Sequence, residues 1–134
     1  MTEQMTALYK GNLACELREP RSESVVFTDA SDKGAAFSPT ELLATALAAC
    51  TMSMMAFIMN RDGVDLFGSK IEYDKEMVDK PVHRVGKIIL HITIQSNRPL
   101  TTGERAKLEA AARACAVRQS IHPDIEVKET FEYV

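Results

Sequence analysis

The side chains in this sequence with redox and nucleophilic chemistry of their own are three thiols, Cys15, Cys50 and Cys115. A thiolate attacks electrophiles, binds metals and oxidises reversibly to sulfenate and disulfide. Two of the three sit in helical patterns. Cys50 falls on the stripe Leu43, Leu47, Cys50, Met54, Phe57, and Cys115 on the stripe Leu108, Ala111, Ala112, Cys115. Thiols on the inward faces of two helices can meet, although they lie 65 residues apart. Such a pair either cycles between dithiol and disulfide or is two small residues that let Ala-rich helices pack closely. Cys15, beside Glu16 on a strand, reads as structural, and His122 before Pro123-Asp124 as a turn residue. Cys50, Cys115 and His122 lack the spacing of a structural zinc site, so neither a metal nor a cofactor is expected.

These residues need elements to hold them. Leu42 to Met59 is eighteen residues without a charge, which reaches the length of a membrane span. Ala, Thr and Ser dilute it, and only Arg61 is basic near either end, so a buried helix is expected instead. Ser38-Pro39-Thr40-Glu41 predicts its start by a capping box with Pro at the first helical position. Arg61-Asp62-Gly63 predicts its stop, so the helix is expected from about Pro39 to Asn60. A helix apolar on all sides must be covered on all sides. A domain this small covers one face with its own sheet, and a second copy covers the other, which predicts an obligate homodimer.

Around that helix the chain reads as β-β-β-α-β-β-α-β, an α+β single domain over residues 1–134. Strands are expected over Thr6 to Leu17, turned at Gly11-Asn12, and over Ser24 to Thr28. Asp29 to Phe37 reads as a loop with Ser31-Asp32-Lys33-Gly34 at its tip. Leu66 to Val78 and Gly86 to Gln95 read as extended, joined at Lys80-Pro81. In the second of these, Ile88, Leu90, Ile92 and Ile94 form one aliphatic face. Thr101 and Glu104 form a second capping box, opening a helix expected to run to about Val117. Ile125 to Tyr133 is the last expected strand.

Composition bounds the function. Of 134 residues, 46% are hydrophobic and 26% charged, enough for a core without disulfides. The formal charge of −3 and the lack of a basic block argue against nucleic acid and anionic membranes as partners. Met1-Thr2-Glu3-Gln4-Met5 does not read as a signal peptide, and three sparse thiols suit a reducing cytoplasm.

Two segments together carry a resemblance: FSPTELLATALAAC, ending at Cys50, and ACAVRQSIHPDIEVKETFEY, opening on Ala114-Cys115. They resemble the OsmC/Ohr family of thiol-dependent peroxidases, whose central helix carries Ser/Asn-Pro-x-Glu/Gln-Leu, then six residues, then Ala/Gly-Cys. A second Cys follows about 65 residues on, usually before Pro. The resemblance runs from about Tyr9 to Tyr133 and is nearest to the OsmC-like branch. It implies an intertwined homodimer with active sites at the interface. It also implies that Cys50 is the peroxidatic nucleophile and Cys115 the resolving thiol. The implied substrates are organic hydroperoxides, and the implied reductant is a dithiol of the lipoyl type. Met52, Met54, Met55, Met59 and Phe57 either wall an apolar substrate pocket or serve only as dimer core.

The chain departs from the pattern in three places. Better-known members hold an Arg with a Glu that directly follows the Pro. Thr40 stands there, and Glu41 comes one residue later. Nine residues of helix separate Glu41 from Cys50, about half a turn around the axis, and the capping box already accounts for Glu41. Candidate cations are Arg18, Arg21, Arg84 and Arg118, of which Arg18 is favoured because the family's cation comes from the N-terminal strands. Ala116 replaces the usual Pro after the resolving Cys. Two other functions compete: a catalytically weak OsmC-like dimer that binds an apolar small molecule at its interface, and an acyl-thioester enzyme of the hotdog type.

Overall fold

The computed structural model describes residues 4–31 and 33–134. The expected reading of Met1-Thr2-Glu3 and the Asp32 of the expected loop tip lie outside them. The described elements are β1 (Thr6–Gly11), β2 (Ala14–Glu19), β3 (Ser24–Asp29), α1 (Pro39–Arg61), β4 (Lys70–Val78), β5 (Arg84–Ile94), α2 (Thr102–Arg113), α3 (Ala116–Ser120) and β6 (Glu126–Tyr133). They group into two compact units, one ending at Leu43 and one running from Ala44 to Val134.

The first unit is an antiparallel sheet in the order β1-β2-β3. Its hairpin turns where Gly11-Asn12 predicts it. Gly11, Asn12 and Leu13 all take positive φ, which Gly and Asn accept readily and Leu does not. Tyr9 pairs with Cys15, and Cys15 with Thr28. Leu8, Tyr9 and Phe27 stay exposed. After β3, Asp29 accepts hydrogen bonds from the Ser31 N–H and hydroxyl, which hold its carboxyl below the usual range. The capping box of α1 is closed: Ser38 Oγ accepts from the Glu41 N–H at 3.1 Å and Glu41 Oε1 from the Ser38 N–H at 2.8 Å.

The second unit is built on the sheet β4-β5-β6. β4 runs antiparallel to β5, while β6, returning after α2 and α3, runs parallel to it. As the alternation predicts, Ile88, Leu90, Ile92 and Ile94 are all buried. The helices lie on this face. Tyr73, opposite Leu90, meets the Thr45 hydroxyl of α1 at 2.8 Å, and Tyr133, opposite Ile94, donates to Glu109 of α2 at 2.6 Å. On the other face His91 meets Thr130 and Glu132 in solvent.

Helix α1 stops as expected. Gly63 takes φ +72°, its N–H bonds the Asn60 carbonyl, and the Val64 N–H bonds the Met59 carbonyl, which closes a Schellman motif. At 23 residues α1 is long and apolar enough to cross a membrane by length and composition. Six of its residues, however, are buried, as are the aliphatic face of β5 and Leu108, Ala111 and Ala112 of α2.

The buried face of α1 is not the expected one. The buried stripe is Ala44, Leu47, Ala48, Thr51, Met55 and Met59. Of the expected stripe only Leu47 is buried: Leu43, Cys50 and Met54 are half-buried, and Phe57 is 55% exposed. The cause is physical. A helix apolar all round has no amphipathic phase, so its sequence cannot say which face turns inward.

The second correction concerns α2, expected to reach Val117. It ends at Arg113, and a separate short helix, α3, follows. Cys115 is therefore not on α2 but is the extended N-cap of α3. No Gly or Pro marks this break. Tertiary contacts make it: Gln119 caps the Arg113 carbonyl, and Glu129 of β6 holds Arg113 and Arg118 together.

The α2 capping box forms as predicted, and Arg98 adds a bidentate pair to the Glu104 carboxylate. The Arg98 guanidinium and the Thr101 N–H hold Glu104 down to about 2. A depressed folded value stabilises the native state above the ordinary carboxylate range and is lost as pH falls toward 2. Glu104→Gln is therefore expected to flatten the acid limb of stability between about pH 5 and pH 2, measured by urea unfolding across pH.

Candidate functional site

Cys50 and Cys115 come together in the second unit. Both are free thiols, and Cys50 is a near enough neighbour of Cys115 to raise its pKa. Cys50 is half-buried on α1, at the edge of the buried stripe, and Cys115 is 0% exposed. Two further groups face Cys115. The Arg118 N–H donates to its Sγ at 3.3 Å, and the Thr51 hydroxyl lies 3.8 Å away. Thr51 belongs to the same turn of α1 as Cys50 and is itself fully buried. Burial pushes the Cys115 thiol up. The Arg118 N–H and the Thr51 hydroxyl pull it back, and the neighbouring Cys50 raises it further.

A small ionic cluster braces this corner. Glu129, its side chain only 9% exposed, accepts from Arg113 Nε at 2.8 Å and Arg118 Nη1 at 2.9 Å. It thereby fixes the last residue of α2 and the third of α3 to β6, on either side of Cys115. Ala116 occupies the first helical position of α3, where Pro is tolerated because its N–H would have no partner in the helix. Ala there keeps the same helix start, so this departure from the family pattern leaves the local geometry intact.

Arg18 is on β2 of the first unit, 59% exposed, and bonds Glu16 at 2.9 Å. Arg21 pairs with Glu19, and Arg84 donates to the Val85 carbonyl. Glu41 serves the cap of α1. Cys15 lies half-buried on β2, and His122 accepts the Asp124 N–H within its turn. Among the described residues no three His, Cys, Asp or Glu side chains cluster as a metal site. Sequence reasoning missed Thr51 and Glu129. For Thr51 the signal is a hydroxyl in an otherwise apolar run. For Glu129 it is an acid on the inward-facing alternation of β6.

The model of the family described as OsmC-like protein matches residues 31–130, a span that includes both thiols, Thr51 and Glu129. The chain belongs to the OsmC-like protein family. It is similar in structure to a putative osmotic stress induced and detoxification response protein from Psychrobacter arcticus. The two are 32% identical with a TM-score of 0.90, and the match covers 98% of this chain and 97% of that one. It also resembles the organic hydroperoxide resistance protein OhrB of Bacillus subtilis, at 17% identity and TM-score 0.68, over 98% of each chain. An organic hydroperoxide resistance protein OsmC from Legionella pneumophila is similar at 18% identity and TM-score 0.66, again over 98% of each. A comparison with curated proteins finds no match. Within this OsmC-like fold, α1 and the segment after α2 bring two thiols distant in sequence close together.

Proposed function

We propose that this chain is a thiol-dependent peroxidase that reduces organic hydroperoxides with Cys50 and resolves with Cys115. The observation that carries this reading is the pair of neighbouring free thiols, one partly open and one buried. Membership of a family whose relatives include organic hydroperoxide resistance proteins supports it.

The Cys50 thiolate attacks the distal oxygen of the hydroperoxide. The O–O bond breaks, the alkoxide leaves and takes a proton to become the alcohol, and Cys50 becomes a sulfenic acid. The Cys115 sulfur then attacks the Cys50 sulfur. An S–S bond forms, and the sulfenic oxygen leaves as water. A dithiol of the lipoyl type returns both cysteines to thiols and becomes a disulfide itself. In this reading Arg18 is the cation offered to the Cys50 thiolate and Glu41 its support, as the family resemblance implies. An Arg18→Ala variant that oxidises at the wild-type rate removes both from it.

The working unit in this reading is a homodimer in the cytoplasm. The exposed Phe27, Phe37 and Phe57 support it, since exposed apolar surface of this kind calls for a partner. Sedimentation at low micromolar concentration is expected to give a dimer, and a monomer would overturn this part of the reading.

Intact mass and peptide mapping, before and after one equivalent of an organic hydroperoxide, test the chemistry. The expected result is a loss of two hydrogens with a Cys50–Cys115 cross-link. Unmodified thiols, or oxidation scattered over Cys15 as well, would favour a second reading: a non-enzymatic binder of an apolar small molecule. An apolar groove of about 620 Å³ between Val25, Phe27 and Phe37 supports that alternative.

A further inference from the structure

This inference rests on the two-thiol cycle proposed above and concerns its reductive half. A thiolate attacks a disulfide along the S–S axis, and the far sulfur leaves with the electron pair. Access decides which sulfur is attacked. Cys115 is fully buried, whereas Cys50 is partly open. The reductant therefore reaches Cys50, and Cys115 must be the leaving group. Burial makes Cys115 a poor one, because a thiol pushed up in pKa leaves slowly. Two donors at its sulfur oppose that effect: the Arg118 N–H at 3.3 Å and the Thr51 hydroxyl at 3.8 Å. The reduced protein is the product of this step, so both donors are already in place where the leaving thiolate is formed.

We propose that Thr51 is a positioning residue for reductive recycling: its hydroxyl receives the Cys115 thiolate that leaves when a dithiol attacks Cys50 of the disulfide. The reductant sulfur bonds to Cys50 Sγ, the Cys50–Cys115 bond breaks, and its electron pair stays on Cys115, which then takes a proton. The second thiol of the reductant then attacks the first reductant sulfur, the bond to Cys50 breaks, Cys50 leaves as a thiolate, and the reductant carries the oxidation away as a disulfide. Thr51 is well suited to the task because it is buried on α1 next to Cys50 and moves with it. Deleting the Arg118 backbone N–H takes a proline, which also removes the Arg118–Glu129 pair, whereas the Thr51 hydroxyl can be removed without loss of volume.

The test uses the full chain with its disulfide preformed by diamide, so that it does not depend on peroxidase activity. Brief exposure to 2-mercaptoethanol, acid quench and peptide mapping are expected to find the mixed disulfide on Cys50. Reduction by dithiothreitol is expected to be about fivefold slower in Thr51→Val, the worth of one ordinary hydrogen bond. Thr51→Ser is expected to restore the rate. The Cys115 thiol of reduced Thr51→Val should titrate at higher pH by thiolate absorbance. A mixed disulfide on Cys115, an unchanged Thr51→Val rate, no rescue by Ser, or failure of diamide to join the two cysteines would each overturn the proposal. Failure of hydroperoxide alone to form the cross-link would overturn the peroxidase reading and leave this inference standing.

Discussion

Replacing Cys50 by Ser is expected to lower organic hydroperoxide turnover roughly a thousandfold or more, the scale seen when a nucleophile is removed from a site that acts as a unit. A serine hydroxyl is a weak nucleophile without a base, and the neighbour of this position on the second unit is another thiol. Cys115→Ser is expected to behave differently. Cys50 still reacts once, but its sulfenic acid finds no resolving sulfur and waits for an external thiol. Turnover with a dithiol then falls while a single stoichiometric oxidation survives, seen as one added oxygen on the Cys50 peptide. Cys15→Ser, half-buried on β2 of the first unit, is expected to leave both steps unchanged. Equal loss in Cys50→Ser and Cys115→Ser, with no trapped sulfenic acid, would instead mean that the pair acts only as packing.

The part of this site legible in the sequence is the part with a local signature. The caps of α1 and α2 and the aliphatic face of β5 are fixed by neighbours within a few residues, and all three form as their patterns predict. The phase of α1 is not local. Its sequence is apolar on every side, so only the sheet and α2 decide that Thr51, and not Cys50, faces fully inward. The break at Ala114 is equally non-local. Ala-Ala-Arg-Ala-Cys-Ala-Val would continue a helix by propensity, and the chain departs from it where Glu129, eleven residues after Arg118, binds Arg113 and Arg118 together. The two thiols were therefore readable as a possible pair. Their asymmetry, one sealed and one half-buried, depends on contacts from β6 and from the unexpected face of α1.

That dependence gives the largest expected effect on stability. Leu90 is fully buried at the centre of β5, between Tyr73 of β4 and Glu129 of β6. Leu90→Ala removes several apolar groups and leaves a cavity that a sheet held on both edges cannot close. The expected cost is roughly 3–4 kcal/mol, near the middle of the range for such truncations. In a chain of this size that lowers Tm by roughly 10 °C. Ile89, one residue earlier, points to the opposite, partly solvated face, so Ile89→Ala is expected to cost about 1 kcal/mol. Urea unfolding at one fixed protein concentration compares the two, since any association of copies adds to both alike. The cavity also lies beside Glu129, whose carboxylate fixes Arg118 and through it the N–H on Cys115 Sγ. Leu90→Ala is therefore expected to slow cross-linking of Cys50 to Cys115 under conditions where the variant is still folded, whereas Ile89→Ala is not. Equal losses of stability in the two variants would contradict the layered core. Normal cross-linking in folded Leu90→Ala would show that the Glu129 brace is not needed to hold Cys115 in place.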